Sequence, residues 1–256
     1  MKRKENDPLK AVGDRLAFFQ EIGAGFVLSR ERIPPAVSAT TPDAVRAAER
    51  VRAPESCVAP LPAGDFPPPL QVSFPELEEK VLSCRLCPLS SSRTRAVPGE
   101  GDKGAELMFI GEAPGRDEDA QGRPFVGRAG QLLTKIIEAM NWRREEVYIT
   151  NVVKCRPPDN RTPLPDEVET CSPYLVRQIE LIRPKVIVAL GKVATDVFIP
   201  GRMSMGERRG KFVDRQGIRI MPTFHPSYVV RNEGNKEIKK MVWRDMKLVM
   251  EFLGKK

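Results

Sequence analysis

The sequence predicts an α/β domain built on a parallel sheet with crossover helices, preceded by a proline-rich arm. Three observations lead there. A chain of 256 residues with 41% hydrophobic content can bury one good-sized core and leave a remainder unfolded. From residue 74 onward, short apolar runs alternate with amphipathic stretches. Before that, ten of the 24 prolines crowd into residues 1–70.

The arm comes first in the chain. Its Ala and Val stand between charges, and PAGDFPPPL supports neither a regular helix nor a central strand, so most of 1–70 is expected to be disordered. Within it, Leu9, Val12, Leu16, Phe19 and Ile22 recur at three- and four-residue steps. That spacing lines one face of a short helix, which either docks on the domain or on a protein partner or forms only transiently. The domain is expected over 74–256. Its strands are expected at Leu107 to Ile110, Val147 to Asn151, Val186 to Leu190 and Ile218 to Phe224. Leu132, Leu133, Ile136, Ile137 and Met140 make a helical stripe after the first strand, and a second helix runs from Asp166 through Leu181, opened by Pro165. In such sheets ligands bind beyond the carboxyl ends of the strands. That marks GEAPG after the first strand, Asn151 closing the second and His225 just past the last.

A formal net charge of +8 favours a polyanionic partner without demanding one. MKRKEND leads into further charges, and no apolar run approaches the roughly 18 residues of a membrane span. The expectation is a soluble, cytoplasmic monomer with no membrane partner. Cys84 and Cys87 form a CxxC ahead of the first strand, Cys155 follows the second strand, and Cys171 lies in the helix after it. A redox pair would open a helix directly after a strand, which weakens that reading. Cys155 and Cys171 are separated by 15 intervening residues, unlike a zinc ribbon, yet spacing alone leaves zinc and iron–sulfur equally open. Cys57 stands alone in the arm and reads as a free thiol.

Residues 111–130, GEAPGRDEDAQGRPFVGRAG, form a glycine- and acid-rich loop leading into a helix, where backbone amides can approach a ligand. Within it there is neither Gly-Lys-Ser/Thr nor GxGxxG, so it is no Walker loop and no dinucleotide fingerprint. A solvated acidic loop is the plainer reading of these residues alone. The single histidine lies in TFHPSYVVR, residues 223–231, after a strand end and before a proline. That position raises its standing above that of an ordinary structural histidine.

Together, GEAPG with GRPFVGRAG, the strand end TNVVKCRP, the apolar VIVALG and the HPS loop closely resemble the family 4 uracil-DNA glycosylases over about residues 74–252. The resemblance implies a three-layer α/β/α sandwich around a four-stranded parallel sheet. It also implies a [4Fe–4S] cluster on Cys84, Cys87, Cys155 and Cys171, and uracil-containing DNA, single- or double-stranded, as substrate. It assigns Asn151 to reading uracil, because one carboxamide offers the donor and acceptor that span O4 and N3. Phe125 would stack on the flipped ring, with a core Phe as its rival reading. Glu118 would wall off the thymine methyl. His225 would stabilise the departing uracil anion at O2. Glu112, with the GEAPG backbone, would hold water and sugar. Ala113 stands where the best-known uracil glycosylases carry Asp, as the resemblance to family 4 requires. Pro226, Ser227 and Arg231 would form the loop that meets DNA, while Arg93, Arg95, Arg156 and Arg161 add surface phosphate contacts. The competing expectation is a non-catalytic nucleic-acid-binding iron–sulfur protein of a replication or polymerase complex. An iron–sulfur redox protein is a third.

Overall fold

The computed structural model describes residues 70–255. The arm helix expected at Leu9 to Ile22, and Cys57, lie outside them. Six strands form one mixed sheet: β1 (Glu100–Gly101), β2 (Leu107–Gly111), β3 (Tyr148–Asn151), β4 (Val186–Leu190), β5 (Val213–Arg215) and β6 (Ile218–Thr223), in the order β1-β3-β2-β4-β6-β5. The central four are parallel and match the expected runs to within a residue at each end. β2 and β4 are buried at every position, as strands covered on both faces must be.

The sheet is larger than the four parallel strands expected. β1 and β5 add antiparallel edges against β3 and β6. Both are two or three residues long and largely polar, so hydrophobic periodicity carries no trace of them. β5 is set by its connection. Gln216 (φ 56°) and Gly217 (φ 78°) both take positive φ, the backbone of a tight two-residue hairpin turn.

Alternate side chains of the strands enter two cores. Leu107, Phe109, Ile149, Val186, Val188 and Met221 pack beneath α4 (Arg128–Ala139) and α9 (Lys236–Phe252). Met108, Ile110, Tyr148, Ile187, Ala189 and Ile220 pack with α1 (Phe74–Ser83), α5 (Pro165–Ile182) and α6 (Gly191–Phe198). The shorter helices are α2 (Leu89–Ser92), α3 (Arg116–Gln121), α7 (Met205–Arg208) and α8 (Pro226–Arg231). α5 starts with Pro165 in its first turn, where the missing N–H costs nothing, and ends on Arg183 in the left-handed region at φ 53°. It also carries Pro173 within. That proline cannot bond the Glu169 carbonyl, and the Ser172 hydroxyl takes it instead at 2.8 Å, so the helix runs on past Cys171.

Candidate active site

β3 and β4 flank β2 on opposite sides, so the chain reverses direction across the sheet between them. This is where a doubly wound sheet opens a crevice. A cavity of about 740 Å³ lies there, lined by Glu112, Ala113, Phe125, Asn151 and His225 among others. Parallel register sets Gly111 opposite Asn151 and Leu190 opposite Thr223, which draws the loops after β2, β4 and β6 to one rim.

Asn151 closes β3 with 1% of its surface exposed, and its side-chain Oδ1 is buried without a hydrogen-bond partner. Such an orphan acceptor costs about 1–3 kcal/mol unless a ligand donates to it. Only glycine fits across from it. A Cβ on Gly111 would lie 2.4 Å from Asn151 Oδ1 and 2.5 Å from Phe125 Cζ. Phe125 is held at φ 50°, strained for an aromatic residue, with its ring 5.7 Å from the His225 ring and tilted by 32°. Glu118 holds this bend. Its carboxylate accepts the N–H groups of Gly115 (3.1 Å), Val126 (2.9 Å) and Gly127 (3.0 Å), so it binds the two ends of the loop that carries Phe125.

His225 follows β6. The Ser227 N–H donates to its Nδ1 at 3.1 Å, with the Ser227 hydroxyl 2.8 Å from the same atom. An Nδ1 that accepts leaves the neutral ring's proton on Nε2. Burial, reinforced by the positive charge of Arg231, pushes the imidazole down to about 4. The ring is therefore neutral near pH 7. Burial raises the Glu112 carboxyl above its ordinary value, and Arg231 opposes that rise. Arg231 itself is exposed and reaches Ser227 Oγ at 3.5 Å, whereas Pro226 is buried in the first turn of α8.

The basic residues divide. Arg93 is not a free surface cation: its guanidinium donates to Cys155 Sγ at 2.9 Å and to the Cys84 and Leu82 carbonyls at 2.8 and 3.1 Å. Arg161 lies on the cavity wall, clamped in both arms by Glu167 at 2.6 and 2.8 Å. Arg156 bonds Asn160, and Arg95 is exposed.

Cys84, Cys87, Cys155 and Cys171 are free thiols and line a second, small cavity. Arg93 and the Lys154 N–H donate to two of the sulfurs, the latter to Cys171 at 3.3 Å. Burial pushes the Cys171 thiol up to about 12 and raises Cys155 too, which makes both poor free nucleophiles. Among the described residues, no three His, Cys, Asp or Glu side chains gather tightly enough to hold a single ion.

Residues 98–247 match the model of the uracil DNA glycosylase superfamily. A type-4 uracil-DNA glycosylase of Thermotoga maritima is 48% identical over 181 residues, 70% of this chain and 94% of that one. Its counterpart in Archaeoglobus fulgidus is 44% identical over 192 residues, 72% and 95% of the two chains. The chain belongs to the type-4 uracil-DNA glycosylases. A further relative of the same name, from Sulfurisphaera tokodaii, is 47% identical over 190 residues, 70% of this chain and 84% of its own.

In this type-4 family member the structure brings Glu112, Ala113, Glu118, Phe125, Asn151, His225, Ser227 and Arg231 to one cavity. It gathers the four cysteines at another. Sequence reasoning missed Gly191, which opens α6 at φ +87°. A Cβ there would meet His225 Cβ at 2.9 Å, so glycine makes room for the imidazole. Its signal was present: a glycine directly after a buried strand, at the carboxyl edge. Tyr228, on the cavity rim and 40% exposed, was also missed.

Proposed function

We propose that this chain excises uracil from DNA, hydrolysing the bond between C1′ of the sugar and N1 of the base to leave an abasic site. The observation that carries this reading is the orphan Oδ1 of Asn151, buried in a cavity beside Phe125 and His225. A flipped uracil supplies what that atom lacks. Its N3–H donates to Oδ1 while the same carboxamide's NH₂ donates to O4, a pattern cytosine cannot match. Phe125 offers the face on which the ring stacks, worth about 1–3 kcal/mol toward the cost of flipping.

As C1′–N1 breaks, positive charge grows on the sugar and negative charge on the base. The Nε2–H of neutral His225 donates to O2 and stabilises the leaving anion without giving up its proton. Glu112 orients the water whose oxygen bonds to C1′, the water's proton ending on solvent or on the carboxylate. Ala113 brings no carboxylate to this task. Glu118 acts as the loop's internal brace, and through it sets how closely Phe125 confines C5 of the base. Ser227 and Arg231 face the DNA backbone, and Pro226 shapes the turn that presents them.

The four cysteines line one small cavity and fit a [4Fe–4S] cluster, whose thiolates would take hydrogen bonds from Arg93 and the Lys154 N–H. When bound it supplies iron–thiolate bonds that tie α1, the end of β3 and α5 together. Treating purified protein with a uracil-containing oligonucleotide and then with alkali tests the activity: cleavage at uracil is expected, and an intact strand would refute the reading.

A further inference from the structure

Excision leaves Lys154 unused, although it lies three residues after Asn151 and directly before Cys155. It is 1% exposed, an unusual place for a lysine. Its Nζ has acceptors for three N–H groups: Asn151 O at 2.7 Å, Gln178 Oε1 at 2.7 Å and Thr150 Oγ1 at 2.8 Å. Its main chain is held as well. The N–H donates to Cys171 Sγ at 3.3 Å, and the carbonyl accepts the Val97 N–H at 2.8 Å. Cys171 and Gln178 are seven residues apart on α5, close to two helical turns, so one lysine grips one face of that helix at two levels. Gln178 is itself fixed, donating to the Pro98 carbonyl at 2.7 Å and to Tyr148 Oη at 3.2 Å.

The Asn151 carboxamide oxygen has no protein partner to orient it, so its aim depends on how firmly its own peptide is held. Lys154 Nζ holds that peptide's carbonyl. We propose that Lys154 is a positioning residue that joins the cysteine site to base reading, fixing the Asn151 peptide against α5 and Cys171. This rests on the uracil-excising function and on Asn151 as the reader. Misplacing a reacting group by about 1 Å costs about a hundredfold in rate, and that sets the scale expected.

The test uses the iron-loaded full chain, with Lys154→Met removing all three donors and Gln178→Met removing one acceptor. Iron per chain, melting temperature, affinity for abasic-site DNA and single-turnover excision of uracil are measured on each. Lys154→Met should keep its iron and its abasic-DNA affinity, yet excise uracil ten- to a hundredfold more slowly. Gln178→Met should show the same split at smaller amplitude. Abasic DNA leaves the pocket empty of base, so a purely structural role would not separate these readouts. Wild-type excision by Lys154→Met overturns the proposal, and so does parallel loss of iron, melting temperature and DNA affinity in both variants. An inactive wild type overturns the functional reading instead.

Discussion

Asn151→Asp replaces a donor with a carboxylate at a site with almost no exposed surface to hydrate it. Excision should fall by about a hundredfold or more in single turnover, with duplex binding retained; wild-type rates would remove Asn151 from the pocket. His225→Ala should slow cleavage by about ten- to a thousandfold, the range for losing an electrostatic donor. The imidazole is the sole one in the chain, so its NMR titration is unambiguous. With the folded value near 4 against 6.5 for the free ring, the unfolded chain binds the extra proton between those pH values. The stability His225 contributes is therefore complete above about 6.5 and lost as pH falls toward 4. No midpoint should appear between pH 6 and 8. Arg231 holds down both His225 and Glu112. Arg231→Ala should therefore move the acid limb of the excision profile to higher pH; a limb that stays put or moves down would take Glu112 out of the chemistry. Asn151 and His225 were legible because each stands at a strand's carboxyl edge. Glu118 was only half legible: its identity follows from the motif, but its three backbone partners depend on how the loop folds back.

Among the elements, β2 and β4 could be read because burial on both faces leaves continuous apolar runs, and β3 and β6 from shorter apolar stretches that end at Asn151 and Thr223. β1 and β5 could not, since their pairing comes from edge contact and a turn. The carboxyl edge shows why glycine recurs there. Gly191→Ala would combine a left-handed φ, costing about 1–2 kcal/mol, with a collision at His225. We expect a lower melting temperature and excision reduced at least tenfold, a drop that restoring stability at low temperature does not recover. The cysteine site joins α1, α5 and the end of β3. Cys84→Ala should accordingly lower iron content and melting temperature before it affects chemistry at any site that keeps its iron. Iron and sulfide in the wild type are the expected contents, and stoichiometric zinc in anaerobically prepared protein would overturn that assignment. Arg93 could not be placed from sequence. An arginine six residues past a CxxC looks like any basic surface residue until the fold lays it on Cys155.

At the level of the molecule, the superfamily match spans residues 98–247, and the four cysteines and the cavity residues named above all follow residue 70 in the chain. A chain starting at residue 70 should therefore keep uracil excision, and its loss would assign the arm a part in the chemistry. The parallel sheet also gives the molecule a polarity. The cavity lies beyond the carboxyl ends of β2, β3, β4 and β6, while the turn at Gln216 and Gly217 lies at the opposite edge, where β6 begins. That turn is a place to graft. A fluorophore or a small folded tag inserted there would ride on the face turned away from the cavity, and uracil removal at the undisturbed rate is the expected result.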